Sequence, residues 1–150
     1  MQALYAYKQS GDEASHIIEH VLSVDLEDAS LQFATSLFLK SLGNQHEAEV
    51  IISRHTKNWD FSRIALLDRI LLQIAITELL FFPDIPPKVT INECIEIAKM
   101  YSTDQSGKFI NGIMDAILNE LRRDGTLNKA GRGLIDTTLS PTTEPKKGTD

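Results

Sequence analysis

The stretch that decides the fold is Asn58–Leu79, NWDFSRIALLDRILLQIAITEL, continued by Leu80, Phe81 and Phe82. From Ile64 to Phe82 the residues are almost all apolar or small, and the polar exceptions are Asp68, Arg69, Gln73, Thr77 and Glu78. A helix that is apolar nearly all round belongs inside a bundle, where neighbours cover every face. Arg69, Gln73 and Thr77 recur at i, i+4, i+8, so they line up as one thin wet stripe on that cylinder. Asp68, Arg69 and Glu78 interrupt the run of about 20 residues, which argues against a membrane span.

Working outward toward the C-terminus, Pro83, Pro86 and Pro87 stop this helix and impose an extended link. Thr90-Ile91-Asn92-Glu93 then reads as a capping box, with hydroxyl and carboxylate each taking the other residue's amide. The helix beyond it places Cys94, Ile95, Ala98 and Tyr101 at core spacing, and Glu96 and Lys99 three apart on its polar face. A last helix, from about Lys108, sets Phe109, Ile110, Ile113, Met114, Ile117 and Leu121 on one side.

Toward the N-terminus the pattern is also helical. Met1–Ser10 is a short helix ended by Gly11, and short helices must dock to persist. Asp12 is placed to cap a second segment, Glu13–Val24, with Ile17, Ile18, Val21 and Leu22 as its stripe. Leu26–Leu42 carries Leu31, Ala34, Phe38 and Leu42 on one face and ends at Gly43-Asn44. Ala48, Ile51 and Ile52 mark a fourth helix before Lys57. No segment up to Phe82 alternates with period two between hairpin turns, so no strand is expected. The fold class is all-α: about seven helices in two packed subdomains, 1–56 and 59–123, meeting along the central helix. Trp59 falls at their junction and is expected to be buried there. From Asp124 the chain turns to glycine, threonine and proline without apolar spacing, so 124–150 is read as a disordered tail.

Composition narrows the function. The chain has 150 residues, enough for one domain with a real core, and a formal charge of −6 from 15 Lys and Arg against 21 Asp and Glu. The tail from Asp124 carries four charges of each sign, and Met1–Asp60 alone holds four positive and nine negative side chains. So acidic a domain lacks the cations of a free-standing nucleic-acid binder. The single cysteine, Cys94, lies on an apolar face and behaves as a small hydrophobe. No signal-like apolar run opens the sequence, and a cytoplasmic protein is expected. No nucleophile–base pair, glycine-rich phosphate loop or metal set presents itself, so no enzyme activity and no cofactor is expected. His16-Ile17-Ile18-Glu19-His20 does match the inverted zinc-protease pattern, but no third ligand accompanies it. It is read as two surface histidines.

Four segments together carry a family resemblance: N-W-x3-R-x4-D-R-I-L (58–71), A-x2-E-L (75–79), P-K-V-x-I-N-E-x2-E-x-A-K (87–99) and K-F-x-N-G-x2-D (108–115). In this order and with these gaps they resemble the NusB family of bacterial transcription antitermination factors, over about residues 1–122. Gln2-Ala3-Leu4-Tyr5-Ala6-Tyr7 fits the second half of that family's first helix. The resemblance implies a protein that pairs with NusE, a ribosomal protein of the small subunit. Together they bind boxA in nascent ribosomal RNA and join the RNA polymerase antitermination complex. Two other readings stay open. One is a stand-alone RNA-binding domain like the one fused to ribosomal RNA cytosine methyltransferases. The other is a protein-only scaffold.

The candidate sites follow. The helix start at Lys108 and Phe109 offers free amides, a cation and a ring on which a base could stack. The alternative is that Phe109 is core and that Gly112 serves a close helix contact. By resemblance, this corner and the first helix hold the RNA, which adds Gln2, Tyr5, Lys8 and Gln105. Family members often have an acid where Gln105 stands, and a neutral residue there repels phosphate less. Asp68 and Arg69 are either a buried structural pair or, with Glu78, part of the NusE-facing surface that the resemblance implies for this helix. Family members also carry several arginines ahead of the Q-A-L-Y segment, whereas this sequence starts at Met1. Either the start is misplaced, or the sequence is a piece of a longer chain, or RNA binding leans on the partner.

Overall fold

The computed structural model of the protein describes residues 1–57 and 63–137. Among them are seven α-helices and no strand. They are α1 (Gln2–Ser10), α2 (Ala14–Ile17), α3 (Asp28–Gly43), α4 (Gln45–His55), α5 (Leu66–Phe81), α6 (Pro87–Tyr101) and α7 (Asp104–Arg123). Trp59, expected at the subdomain junction, lies outside the described residues.

The central helix is α5, and it is buried as its sequence requires. Ile70, Leu71, Leu72, Ala75 and Leu79 have no exposed surface. Its two faces serve two clusters. Ile70 and Ile74 pack with Ala3, Leu4, Ile17 and Phe38 from α1, α2 and α3. Leu71, Leu72, Ala75, Ile76 and Leu79 pack with Ile91, Cys94, Ala98, Ile110, Met114 and Ile117 from α6 and α7. The clusters do not divide the chain at Thr56. Ala48, Ile51 and Ile52 of α4 belong to the second cluster, and α4 is tied to α7 by Glu120, which accepts from Arg54 at 2.7 Å and pairs with His55.

Local chemistry sets the helix ends. Gly11 terminates α1 at φ +72°, a left-handed conformation that costs glycine little, and its amide donates to the Tyr7 carbonyl. The segment expected as one helix over Glu13–Val24 is α2 followed by a π-helical turn, Ile18–Leu22, closed by the Ser23 amide and hydroxyl on the Ile18 carbonyl. Glu13, not Asp12, stands before α2, and no side chain caps it.

Four further readings are corrected. Pro87, pre-set for a first helical position, starts α6 three residues before the expected capping box. Thr90 is therefore buried inside the helix, and its hydroxyl donates to Glu78 Oε1 at 2.8 Å. The stripe Gln73–Thr77 is not wet. Gln73 donates to the Ser41 carbonyl at 2.7 Å and Thr77 to the Gln73 carbonyl at 2.8 Å, so both polar groups are satisfied inside the core. Tyr101, at the end of α6, is exposed. The last helix begins at Asp104, not Lys108, because the Thr103 hydroxyl accepts from the Ser106 amide at 3.1 Å.

The chain beyond Asp124 was read as disordered, and for residues 126–135 that is overturned. Leu127 packs on the second cluster. Lys129 Nζ donates to the carbonyls of Glu78 (3.3 Å) and Phe82 (2.9 Å), and the Ala130 amide donates to the Pro83 carbonyl at 2.9 Å. Gly133 lies so close to Pro83 that an added Cβ would fall 1.9 Å from its carbonyl oxygen. The sequence concealed this because the segment binds through one leucine, one lysine and its backbone, not through an apolar stripe. Residues 138–150 lie outside the described residues.

Candidate nucleic-acid interface

The first turn of α5 joins the two sides of the site. Asp68 and Arg69 are neighbours there, and Asp68 reaches α7. Asp68 is 6% exposed, and its Oδ2 accepts from the Ser106 hydroxyl of α7 at 3.1 Å. Ser106 in turn sits on the Thr103 cap and shares a hydroxyl contact with Ser102. The start of α7 is thereby held against α5. Burial pushes the Asp68 carboxyl above its ordinary range, and the Ser106 bond partly offsets this. Arg69, half-buried, lies within electrostatic reach of Lys8 on α1. Burial lowers the Lys8 pKa first, Glu49 raises it, and Arg69 lowers it further.

The candidate RNA residues lie on two elements, α1 and the start of α7. Gln2 and Tyr5 are exposed on α1, Tyr5 at 47%, and Lys8 is half-buried. Gln105 and Lys108 are exposed on the first turns of α7, and Phe109 is half-buried beside them. A small recess of about 280 Å³ is lined by Arg63, Asp68, Gln105, Ser106 and Phe109. Phe109 also packs on the core cluster, so it serves the fold and the surface together. Gly112 does not serve a close helix contact: a Cβ there would meet nothing within 4 Å. The close approach is at Gly107, where a Cβ would sit 3.3 Å from Lys99 Cγ.

The three residues tied to the partner surface are not brought together. Asp68 faces inward. Glu78 stands ten residues further along α5, roughly 15 Å away, half-buried under Thr90 and the C-terminal segment. Burial raises the Glu78 pKa, while Thr90 and Lys129 pull it down. The Cys94 thiol is pushed up to about 12, by burial first and by the Glu78 charge second, so it is no nucleophile at neutral pH. His16 and His20 stack at 4.1 Å on the surface. Among the described residues no group of three His, Cys, Asp or Glu is placed to hold a metal ion. No helix among them is long and apolar enough to cross a membrane.

The capped start of α7 sets an exposed cation, Lys108, beside a half-buried ring, Phe109, on an all-helical bundle, a surface of the kind that nucleic-acid-binding proteins use. The chain belongs to the NusB family: that family's sequence profile matches residues 1–119. It is 47% identical to the transcription antitermination protein NusB of Salinibacter ruber over 137 residues, covering 90% of this chain and 86% of the relative. It is 40% identical to that of Chloroherpeton thalassium over 157 aligned positions, covering 98% and 74% respectively. Among solved structures it matches T. maritima NusB with TM-score 0.74 at 37% identity, over 79% of this chain and 84% of that one. A structure of the antitermination factors NusB and NusE in complex with dsRNA shares the fold, with TM-score 0.71 at 22% identity over 79% and 89%.

Proposed function

We propose that this protein is a transcription antitermination factor. It holds boxA RNA of nascent ribosomal RNA together with NusE, as part of the RNA polymerase antitermination complex in the cytoplasm, and it acts by binding, not by catalysis. The observation that supports this best is the first turn of α5. One residue there orients the start of α7, which carries Gln105, Lys108 and Phe109, and the next lies within electrostatic reach of Lys8 on α1, which also carries Tyr5. In this reading Lys108 and Lys8 meet phosphates, and Phe109 and Tyr5 offer rings to unpaired bases.

The acidity of the chain fits shared binding. With a formal charge of −6, it repels RNA at long range, so local cations must hold the strand and NusE supplies further contacts. Arg69 is the residue of α5 assigned to the partner side. Asp68 positions α7, and Glu78 closes the far end of the helix. The test is titration of boxA RNA and of a scrambled RNA with the protein alone, with NusE alone, and with both. Tight, sequence-selective binding by the pair supports the reading. If the pair binds boxA no better than the scrambled RNA, the protein is a scaffold instead.

A further inference from the structure

A long groove runs between α6 and α7, away from the corner. Its larger part, about 890 Å³, begins at Lys99 and Lys108. Its smaller part, about 310 Å³, ends at Lys88 and Arg122. Both parts are lined by Asn92 and Asn111, so they form one continuous channel. These six side chains are all exposed. Three carboxylates, Glu96, Asp104 and Asp115, share the lining, so the groove nets +1 (four cations less three acids), in a chain whose net charge is −6.

The walls are built for this shape. Gly107 lets α7 approach α6 closely and holds the Lys99 stem along the wall at what would be 3.3 Å from a Cβ. Lys99 also meets Glu96 at 3.5 Å, which fixes its head at the groove's edge.

We infer that this groove is a second RNA track: the strand held at the Lys108–Phe109 corner continues along it, with Lys88 and Arg122 on phosphates at the far end and Asn92 and Asn111 on sugar or base edges between. The inference rests on the proposed RNA-binding function and extends it beyond the corner. A single strand is the occupant because the groove combines spaced cations with carboxamides and opens directly at Lys108. From Lys108 to Arg122 the helix advances about 21 Å, on the order of six nucleotides at about 3.4 Å each along one strand.

The test compares boxA RNA with the same RNA lengthened by about six nucleotides at either end, a length set by the helix rise. Both are titrated against the full chain with NusE at several salt concentrations. One extension should tighten binding several-fold and steepen the salt dependence by about 1.4, two contacts at about 0.7 each. The double variant Lys88→Gln, Arg122→Gln should abolish that gain and leave binding of the short RNA unchanged. If neither extension helps although short boxA binds selectively, the track is refuted and the proposed function stands. If the double variant, still folded by its melting curve, keeps the full gain, the track is likewise refuted. If short boxA itself is not selected over a scrambled RNA, both fall.

Discussion

The Ser106 hydroxyl donates to Asp68 Oδ2 at 3.1 Å, joining the capped start of α7 to the first turn of the central helix. The bond carries an ionisable acceptor that is almost wholly buried, with its second oxygen, Oδ1, lacking a hydrogen-bond partner among the described residues. Hydrogen bonds to charged groups are worth about 1.5–3 kcal/mol. Ser106→Ala should therefore lose about that much stability in urea melts. A loss below about 0.5 kcal/mol, the usual scatter of surface changes, would mean the bond does not hold the corner.

Glu120 is the corresponding tie between α4 and α7, pairing with both Arg54 and His55 while only 8% exposed. Removing it leaves two partners unanswered. Glu120→Ala should cost about 1–3 kcal/mol, short of a fully buried pair because Arg54 is half exposed. His55→Ala should cost less, since Glu120 keeps Arg54. Equal losses for the two variants would contradict this ordering.

The C-terminal segment is structural in this account. Gly133→Ala would drive a Cβ into the Pro83 carbonyl, and overpacking of this kind costs about 1–3 kcal/mol. The variant should lower the melting temperature and expose the Lys129–Ala130 peptide to limited proteolysis. Deleting residues 126–150 should destabilise as well. A truncated chain that melts at the same temperature would show the docked segment to be energetically idle.

The two outcomes for sequence reading have the same physical root. The central helix was legible because its apolar residues cover every face, a pattern that only burial explains; α5 is buried as read. Family-specific spacing added what periodicity could not, the family itself, whose profile matches residues 1–119. The helix starts at Pro87 and Asp104 were misread because a capping pattern at Thr90 and a cation at Lys108 looked like starts. Proline pre-organisation and the Thr103–Ser106 bond decided the matter instead. Asp68 could not be assigned from sequence, since its meaning depends on a residue 38 positions away. The docked segment escaped notice for the same reason: its hydrogen-bond partners are the backbone carbonyls of Glu78, Phe82 and Pro83.

Glu78 gives a pH signature. Burial raises its folded pKa above the ordinary value of 4.5. The folded protein then holds this proton at a pH where the unfolded chain has lost it. Lowering the pH through the raised value toward 4.5 therefore adds stability, and raising it removes stability. Glu78→Gln cannot titrate but can still accept from Thr90. Its stability relative to the unaltered chain should be most favourable at neutral pH and become less so as pH falls into the ordinary carboxylate range. A difference that stays constant, or moves the other way, would show that the site is solvated.

The central claim is that the α1–α7 corner holds RNA, and the most direct measurement is the affinity of the NusE-bound protein for boxA RNA across a salt series. Lys108→Gln should reduce the salt slope by about 0.7, one phosphate contact on a single strand. Phe109→Ala should cost about 1–3 kcal/mol of binding if a base stacks there, with its fold checked in parallel because Phe109 also packs on the core. Tyr5→Ala, on exposed α1 surface, should weaken binding without altering the melt. The account predicts all three losses on boxA and little change on a scrambled RNA; full affinity and an unchanged salt slope in Lys108→Gln and Tyr5→Ala would contradict it.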